Sequence, residues 1–320
     1  MHVLITGGAG FIGSHLAEYH LKHHDKVYVV DNLETGLQSN LDFLSQNSNF
    51  EYEIANILTW PKLYEAVMWA DRVYHMAAVV GVYKVLENPI AVLATNIAGC
   101  ERVLRAVKDS KWATRLLIAS SSEVYGTSAR QPLIESDNLI FKSAAHSRWS
   151  YSISKLANES FGLAYAEEVT SKIFIARLFN IIGPRQTGEY GMVLPRFVNQ
   201  AVNNKPITVY GSGKQTRSFC DVRDLVVMLD KLVSEDKAAG KIINVGKDAE
   251  ISIEDLALSV KKLAKSSSII THLSYKEAYG TLFEETKRRK PCLKKLSNLI
   301  SYKYKWNLED TILDLIKKTP

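Results

Sequence analysis

The sequence has little cysteine, little proline and no long apolar run. Its 320 residues include three cysteines, Cys100, Cys220 and Cys292. Their number is odd, their spacing is wide and no CxxC pair occurs. That excludes a disulfide framework and a cysteine-based zinc site, implies no metal, and points to a reducing cytoplasm. Eight prolines and seventeen glycines exclude collagen-like and proline-rich chains. No stretch approaches the ~20 apolar residues that span a bilayer, so no membrane partner is expected. The first residues show neither the basic region nor the long apolar region of a secretory leader. No sign of charge dominates either: 40 Lys and Arg against 34 Asp and Glu leave +6. That excess suits an anionic small molecule. Aromatic residues do not interleave with a basic stripe, so no nucleic-acid partner is expected. The one basic run, Lys287-Arg288-Arg289-Lys290, reads as a solvated face or as a phosphate contact.

What is present is an ordinary globular composition, 46% apolar and 23% charged, on a chain long enough for about two domains. Short apolar runs alternate with segments of helical period. Strands are predicted at 2–6, 26–30, 50–54, 72–76, 116–119 and 172–177, and helices at 11–23, 61–70, 89–108 and 150–168. Alternation of this kind predicts an α/β fold, a Rossmann-type doubly wound parallel sheet with helices on both faces. After about residue 178 the rhythm changes. Residues 180–190 are loop-like, helices are predicted at 194–203, 221–233 and 253–264, and strands at 207–210 and 241–245. A smaller mixed α/β C-terminal substrate domain is expected over 179–320. It interleaves with a cofactor-binding domain over 1–178 whose return segments lie at about 218–248.

The clearest local signal is Thr6-Gly7-Gly8-Ala9-Gly10-Phe11-Ile12-Gly13, which follows a strand and opens a helix. A tight turn, a backbone without Cβ atoms and the free N–H groups of a helix N-terminus together make a pyrophosphate cradle. Asp31 ends the second strand. A carboxylate there accepts bonds from the adenosine ribose and repels a 2′-phosphate, so NAD is expected rather than NADP.

Tyr151 and Lys155 form a YxxxK pair, which places phenol and ammonium on one helix face. The cation is expected to lower the phenol pKa, so that the phenolate can take a proton from a sugar hydroxyl. YxxxK alone also fits a plain amphipathic helix. Ser120-Ser121-Ser122-Glu123-Val124-Tyr125-Gly126 sharpens it, because it lies at the C-terminal end of a predicted strand, where open parallel sheets bind ligands. Ser122 is expected to hydrogen-bond the reacting oxygen, and Glu123 to act as a second acid or base.

With these motifs the chain resembles the extended short-chain dehydrogenase/reductases, and more narrowly the NAD-dependent nucleotide-sugar epimerases, dehydratases and decarboxylases. The carrying segments are TGGAGFIG at 6–13, HMAA at 75–78, SSSEVYG at 120–126, YSISK at 151–155, RLFNIIGPR at 177–185 and RSFCDVRD at 217–224. The resemblance implies that Gly7, Gly10, Phe11, Ile12, Gly13, Asp31, Asn32, Asn56, Ile57, Ala77 and Ala78 line the NAD site, and that Lys155 holds the nicotinamide ribose. It makes Tyr151 the base, with Ser122 beside it. It assigns Asn180, Arg217 and Arg289 to a nucleotide-diphosphate sugar, sets 194–197 near its base, and implies a homodimer through the helices near 90–108 and 151–168. Asn56 replaces a frequent Asp, and Arg289-Lys290-Pro291-Cys292 departs from a frequent RxPD.

The implied chemistry is transient oxidation at the sugar C4, followed by epimerisation, loss of water or loss of carbon dioxide. Glu123 favours a lyase, either a UDP-glucuronate decarboxylase-like enzyme or a dehydratase. Arg148-Trp149 resembles the bacterial decarboxylase domain, whose C-terminal arginine is expected to be replaced by Lys294. A 4-epimerase is the alternative. Two further readings are a non-catalytic NAD-binding regulator, opposed by the intact YxxxK, and an NADPH reductase, opposed by Asp31.

Overall fold

The computed structural model describes residues 1–110, 113–143, 146–188, 191–279 and 286–319. The last two residues of the expected 180–190 loop lie outside the described residues.

The first half of the chain gives strands β1 (His2–Thr6), β2 (Lys26–Asp31), β3 (Phe50–Ile54), β4 (Arg72–His75), β5 (Arg115–Ser121) and β6 (Lys172–Leu178). Its helices are α1 (Phe11–Lys22), α2 (Ser39–Asp42), α3 (Leu63–Trp69), α4 (Val82–Glu87), α5 (Pro89–Asp109) and α6 (Trp149–Glu168). The second half adds short strands β7 (Ile181–Ile182), β8 (Ile207–Tyr210), β9 (Thr216–Ser218) and β10 (Cys220–Asp221), then β11 (Lys241–Val245), β12 (Glu250–Ser252), β13 (Ile270–Leu273) and β14 (Arg288–Arg289). Helices α7 (Val193–Val202), α8 (Val222–Ser234) and α9 (Ile253–Leu263) pack among them.

Seven strands form one parallel sheet in the order β11-β6-β5-β4-β1-β2-β3. Side chains alternate across it with the strand period of two. Val3, Ile5, Leu117 and Phe174 join a core with Leu16 of α1 and Leu225 and Leu229 of α8. Leu4, Leu116, Ile118 and Ile175 join one with Cys100, Val103 and Leu104 of α5 on the other face. Both faces are therefore covered, as the run of apolar strands requires. The order reverses at β1, which pairs with both β2 and β4. A crevice opens at that switch point, beyond the strand C-termini. A third core of α7, α8-flanking segments and α9 supports the second half, with Leu194, Phe197, Val209 and Leu256 buried in it.

The differences from expectation are local. Helix α3 starts at Leu63, with Pro61 in the turn before it. Strand β5 runs two residues past Ala119, through Ser120 and Ser121. Helix α4, and the helix Leu308–Lys318 closed by an Asn307–Asp310 capping box, have no counterpart in the sequence reading. Among the described residues no helix is long and apolar enough to cross a membrane.

Three buried histidines predict an acid response. Burial holds His15 at about 4 and His75 at about 3, and lowers His20, all from an ordinary 6.5. The unfolded chain therefore takes up these protons first as pH falls below 6.5, so the folded state loses stability on acidification from that point. At pH 5 His15 and His75 should cost about 2 kcal/mol each. Urea melts at pH 7 and pH 5 check this, and equal midpoints would contradict it.

Candidate active site

A cavity of about 400 Å³ occupies the crevice. One end is built from the turn after β1. Gly7 has φ 73°, and a Cβ there would lie 2.6 Å from the Ala77 amide nitrogen. A Cβ on Gly13 would lie 2.2 Å from the Gly7 carbonyl oxygen. Glycine is thus the residue that lets turn, helix and β4 loop meet. Gly10 is the N-cap of α1 and supplies no side-chain cap, so the helix presents backbone N–H groups and its positive dipole end to the cavity. Phe11, Ile12, Asn32, Ile57, Ala77 and Ala78 stand on the same wall.

Asp31 closes this end. Its two carboxylate oxygens accept the N–H groups of Ala9 at 2.9 Å and Leu33 at 2.8 Å, while burial pushes its pKa up. The carboxylate therefore also holds the glycine turn in shape. Asn56 lines the cavity while its side-chain oxygen accepts the Leu58 N–H at 2.9 Å. Glycines at positions 7, 10 and 13 of the turn, an open helix N-terminus and an acid at the end of β2 fit the pyrophosphate and ribose of NAD.

The middle of the cavity carries Tyr151 and Lys155 on α6 and Ser122 and Glu123 in the short turn after β5. Here the structure corrects one expectation, a phenol whose pKa the neighbouring cation lowers. Lys155 is anchored on β5. Its Nζ donates to the Ala119 carbonyl at 2.8 Å and stands 5.8 Å from the Tyr151 ring centre. Burial lowers the ammonium to about 8 and raises the phenol, and the Glu123 charge raises the phenol further. The Ser121 hydroxyl beside the phenol opposes that rise. Ser121, the last residue of β5, also lines the cavity. Ser122 lines the cavity one residue further on.

The far end is an arginine cluster around one carboxylate. Glu123 is ion-paired with Arg289 and lies 3.6 Å from Arg148. Its own burial opposes ionisation, but Arg289, Arg148 and Arg217 outweigh it and hold the carboxyl at about 2. Glu123 is therefore a carboxylate at neutral pH, the form of a base rather than of an acid. Arg217 and Arg289 stand side by side because β9 and β14 pair in parallel with these two residues in register. Burial first, then Arg289, lowers Arg217 to about 9. Arg217 does not line the main cavity and donates to the Thr216 carbonyl at 2.7 Å. Asn180, with φ 37°, lines it and donates to the Ser218 carbonyl at 3.0 Å.

Lys294, expected in place of a C-terminal arginine, is exposed in the first turn of the helix Lys294–Leu299 and away from the cavity. Among the described residues, Arg289 is the C-terminal arginine that lines the cavity. Leu194 and Phe197 of α7 are core residues. Sequence reasoning did not assign Ser121 or Arg148 to the site. The signal for Arg148 was its place one helical turn before Tyr151.

Residues 3–246 match the family described as NAD dependent epimerase/dehydratase. A UDP-N-acetyl-alpha-D-glucosaminuronate decarboxylase of Bacillus cytotoxicus is 38% identical over 300 residues, 93% of this chain and 91% of that one. UDP-glucuronic acid decarboxylase 1 of Arabidopsis thaliana is 33% identical over 312 residues, 97% of this chain and 68% of that one. The crystal structure of a UDP-glucuronic acid 4-epimerase from Bacillus cereus, in complex with UDP-glucuronic acid and NAD, superposes with TM-score 0.88 at 29% identity, covering 99% of both chains. Sequence match, parallel sheet and glycine-cradled crevice agree: the chain belongs to the NAD-dependent epimerase/dehydratase family.

Proposed function

We propose that the protein is a decarboxylase of a UDP-linked uronate, working through transient oxidation at C4 of the sugar. The observation that carries this reading is the cluster of Arg148, Arg217 and Arg289 around the Glu123 carboxylate. Among the described residues, three guanidinium groups gather beside Tyr151, where a sugar carboxylate and a diphosphate need partners. The relatives named as uronate decarboxylases support it.

NAD, held by the glycine turn and Asp31, supplies a reversible hydride acceptor and a positive ring. Tyr151 takes the C4 hydroxyl proton, and the buried Lys155 cation nearby favours the phenolate. The oxidised sugar is a β-keto acid. When its C5–C6 bond breaks, the electron pair moves to the C4 oxygen, and the Tyr151 phenol stands ready to donate to that enolate. Glu123 serves as an ionised anchor that aims Arg289 and Arg148. Residues 1–178 with the return segment 218–248 form the cofactor-binding part of this arrangement, and the remainder carries the substrate contacts. Self-association through α5 and α6 belongs to the same reading, since Ile90, Ile153 and Leu163 are exposed there. Light scattering should show a dimer, and a monomer would contradict it.

The second reading is a uronate 4-epimerase, favoured by the B. cereus neighbour. Product mass separates them. The protein with NAD and UDP-glucuronate or its 2-acetamido counterpart should yield a product lighter by one carbon dioxide. A product of unchanged mass would favour the epimerase. Tyr151→Phe should lower turnover by about 10² to 10⁴. Glu123→Gln should lower it by roughly 10², without moving any limb of the pH profile above pH 5. Unchanged turnover in Glu123→Gln would contradict the anchoring role.

A further inference from the structure

We infer that Glu159 and Arg177 are positioning residues for the reaction centre: their buried ion pair, tied to Ser120, pins α6 against β5 and sets where the Tyr151 phenol and the Lys155 ammonium stand. This rests on the reading of Tyr151 and Lys155 as the reacting pair. Neither Glu159 nor Arg177 lines the cavity.

Tyr151, Lys155 and Glu159 follow one another at intervals of four and share one face of α6. Three successive β5 residues each engage one of them. The Ala119 carbonyl accepts from Lys155. The Ser120 hydroxyl donates to Glu159 Oε1 at 2.5 Å. The Ser121 hydroxyl lies near the Tyr151 phenol and favours its ionised form. Arg177 completes the middle contact from β6, where it is the register partner of Ser120. Its Nε donates to Glu159 Oε1 and its NH2 to Oε2, both at 2.8 Å, and the two side chains are 3% and 1% exposed. Apolar ridges between a helix and a sheet tolerate sliding. A bidentate, fully buried fork has one arrangement.

The same pair sets the field on Lys155. The groups facing that ammonium are Tyr151 and Glu159 on its own helix, Cys100 on α5 and His75 on β4. Burial keeps the Cys100 thiol protonated and the His75 ring neutral. Glu159 carries a negative charge, and Arg177 cancels it.

The test is an NMR titration of Lys155 in protein labelled with 13C-lysine, which needs no substrate. The Lys155 midpoint should fall by about 0.5 to 1 pH unit in Glu159→Gln and rise by a similar amount in Arg177→Gln, because each leaves one uncancelled charge. Unmoved midpoints, or movement in one common direction, would overturn the inference. A residue that merely stabilises the fold gives no opposed pair of shifts. Should a single variant not fold, Glu159→Gln/Arg177→Gln keeps the test alive, since it leaves no unpaired charge. It should lose about tenfold in kcat with KM retained, through loss of register. Retained kcat there would overturn the assignment. If the wild type turns over no nucleotide sugar, the functional reading fails while the titration still decides this one.

Discussion

The placement of α6 across the end of β5 is the constraint on which the rest of the site depends. The phenol and ammonium ride on the helix, and the serines and Glu123 ride on the strand and the turn that follows it. The two elements are separate in sequence, so no local geometry relates them. The seam of Ala119, Ser120 and Ser121 with Lys155, Glu159 and Tyr151 supplies that relation. A buried ion pair is weak support for stability, because desolvation offsets most of its attraction. Its value here is specificity of register, which dispersion contacts between Ile118, Gly162 and Ile175 do not provide.

Electrostatically the crevice has two different ends. At the cofactor end positive potential comes from backbone: the free N–H groups of α1 and a turn so tight that Gly7 and Ala77 nearly touch. At the sugar end it comes from guanidinium groups gathered by strand pairing, with Glu123 as their counter-ion. An anion bound at the first end meets fixed dipoles that need no reorganisation. At the second it competes with Glu123 for Arg289 and Arg148. Between them lies the desolvated middle, where burial moves both the phenol and the ammonium toward their neutral forms.

The fold and the cofactor end were legible in the sequence because both are written in contiguous patterns. Apolar runs of four to six residues ending in Gly or Asp mark β1 and β2, and the glycine spacing is a backbone requirement that admits few other meanings. The catalytic middle was half legible. The i, i+4 spacing put Tyr151 and Lys155 on one face but did not show that the Ala119 carbonyl captures the ammonium. That β5 continues through Ser121 was not legible, because its apolar run ends at Ala119. The substrate end was least legible. Arg217 and Arg289 meet only through β9 and β14, strands of three and two residues with no periodicity to detect. Lys294 looked closer to the expected arginine in sequence but lies outside the crevice. The Asn307–Asp310 box, by contrast, was a readable helix signal.

The arginine cluster as a reader of a sugar carboxylate is the central claim. Calorimetric binding of UDP-glucuronate and of UDP-glucose to the NAD-loaded protein tests it most directly. The two ligands differ in one carboxylate, and a desolvated charge-assisted pair is worth roughly 1.5 to 3 kcal/mol. The account predicts that the uronate binds at least about tenfold more tightly. It also predicts that the difference collapses in Arg289→Gln. Equal affinities in the wild-type protein would contradict it.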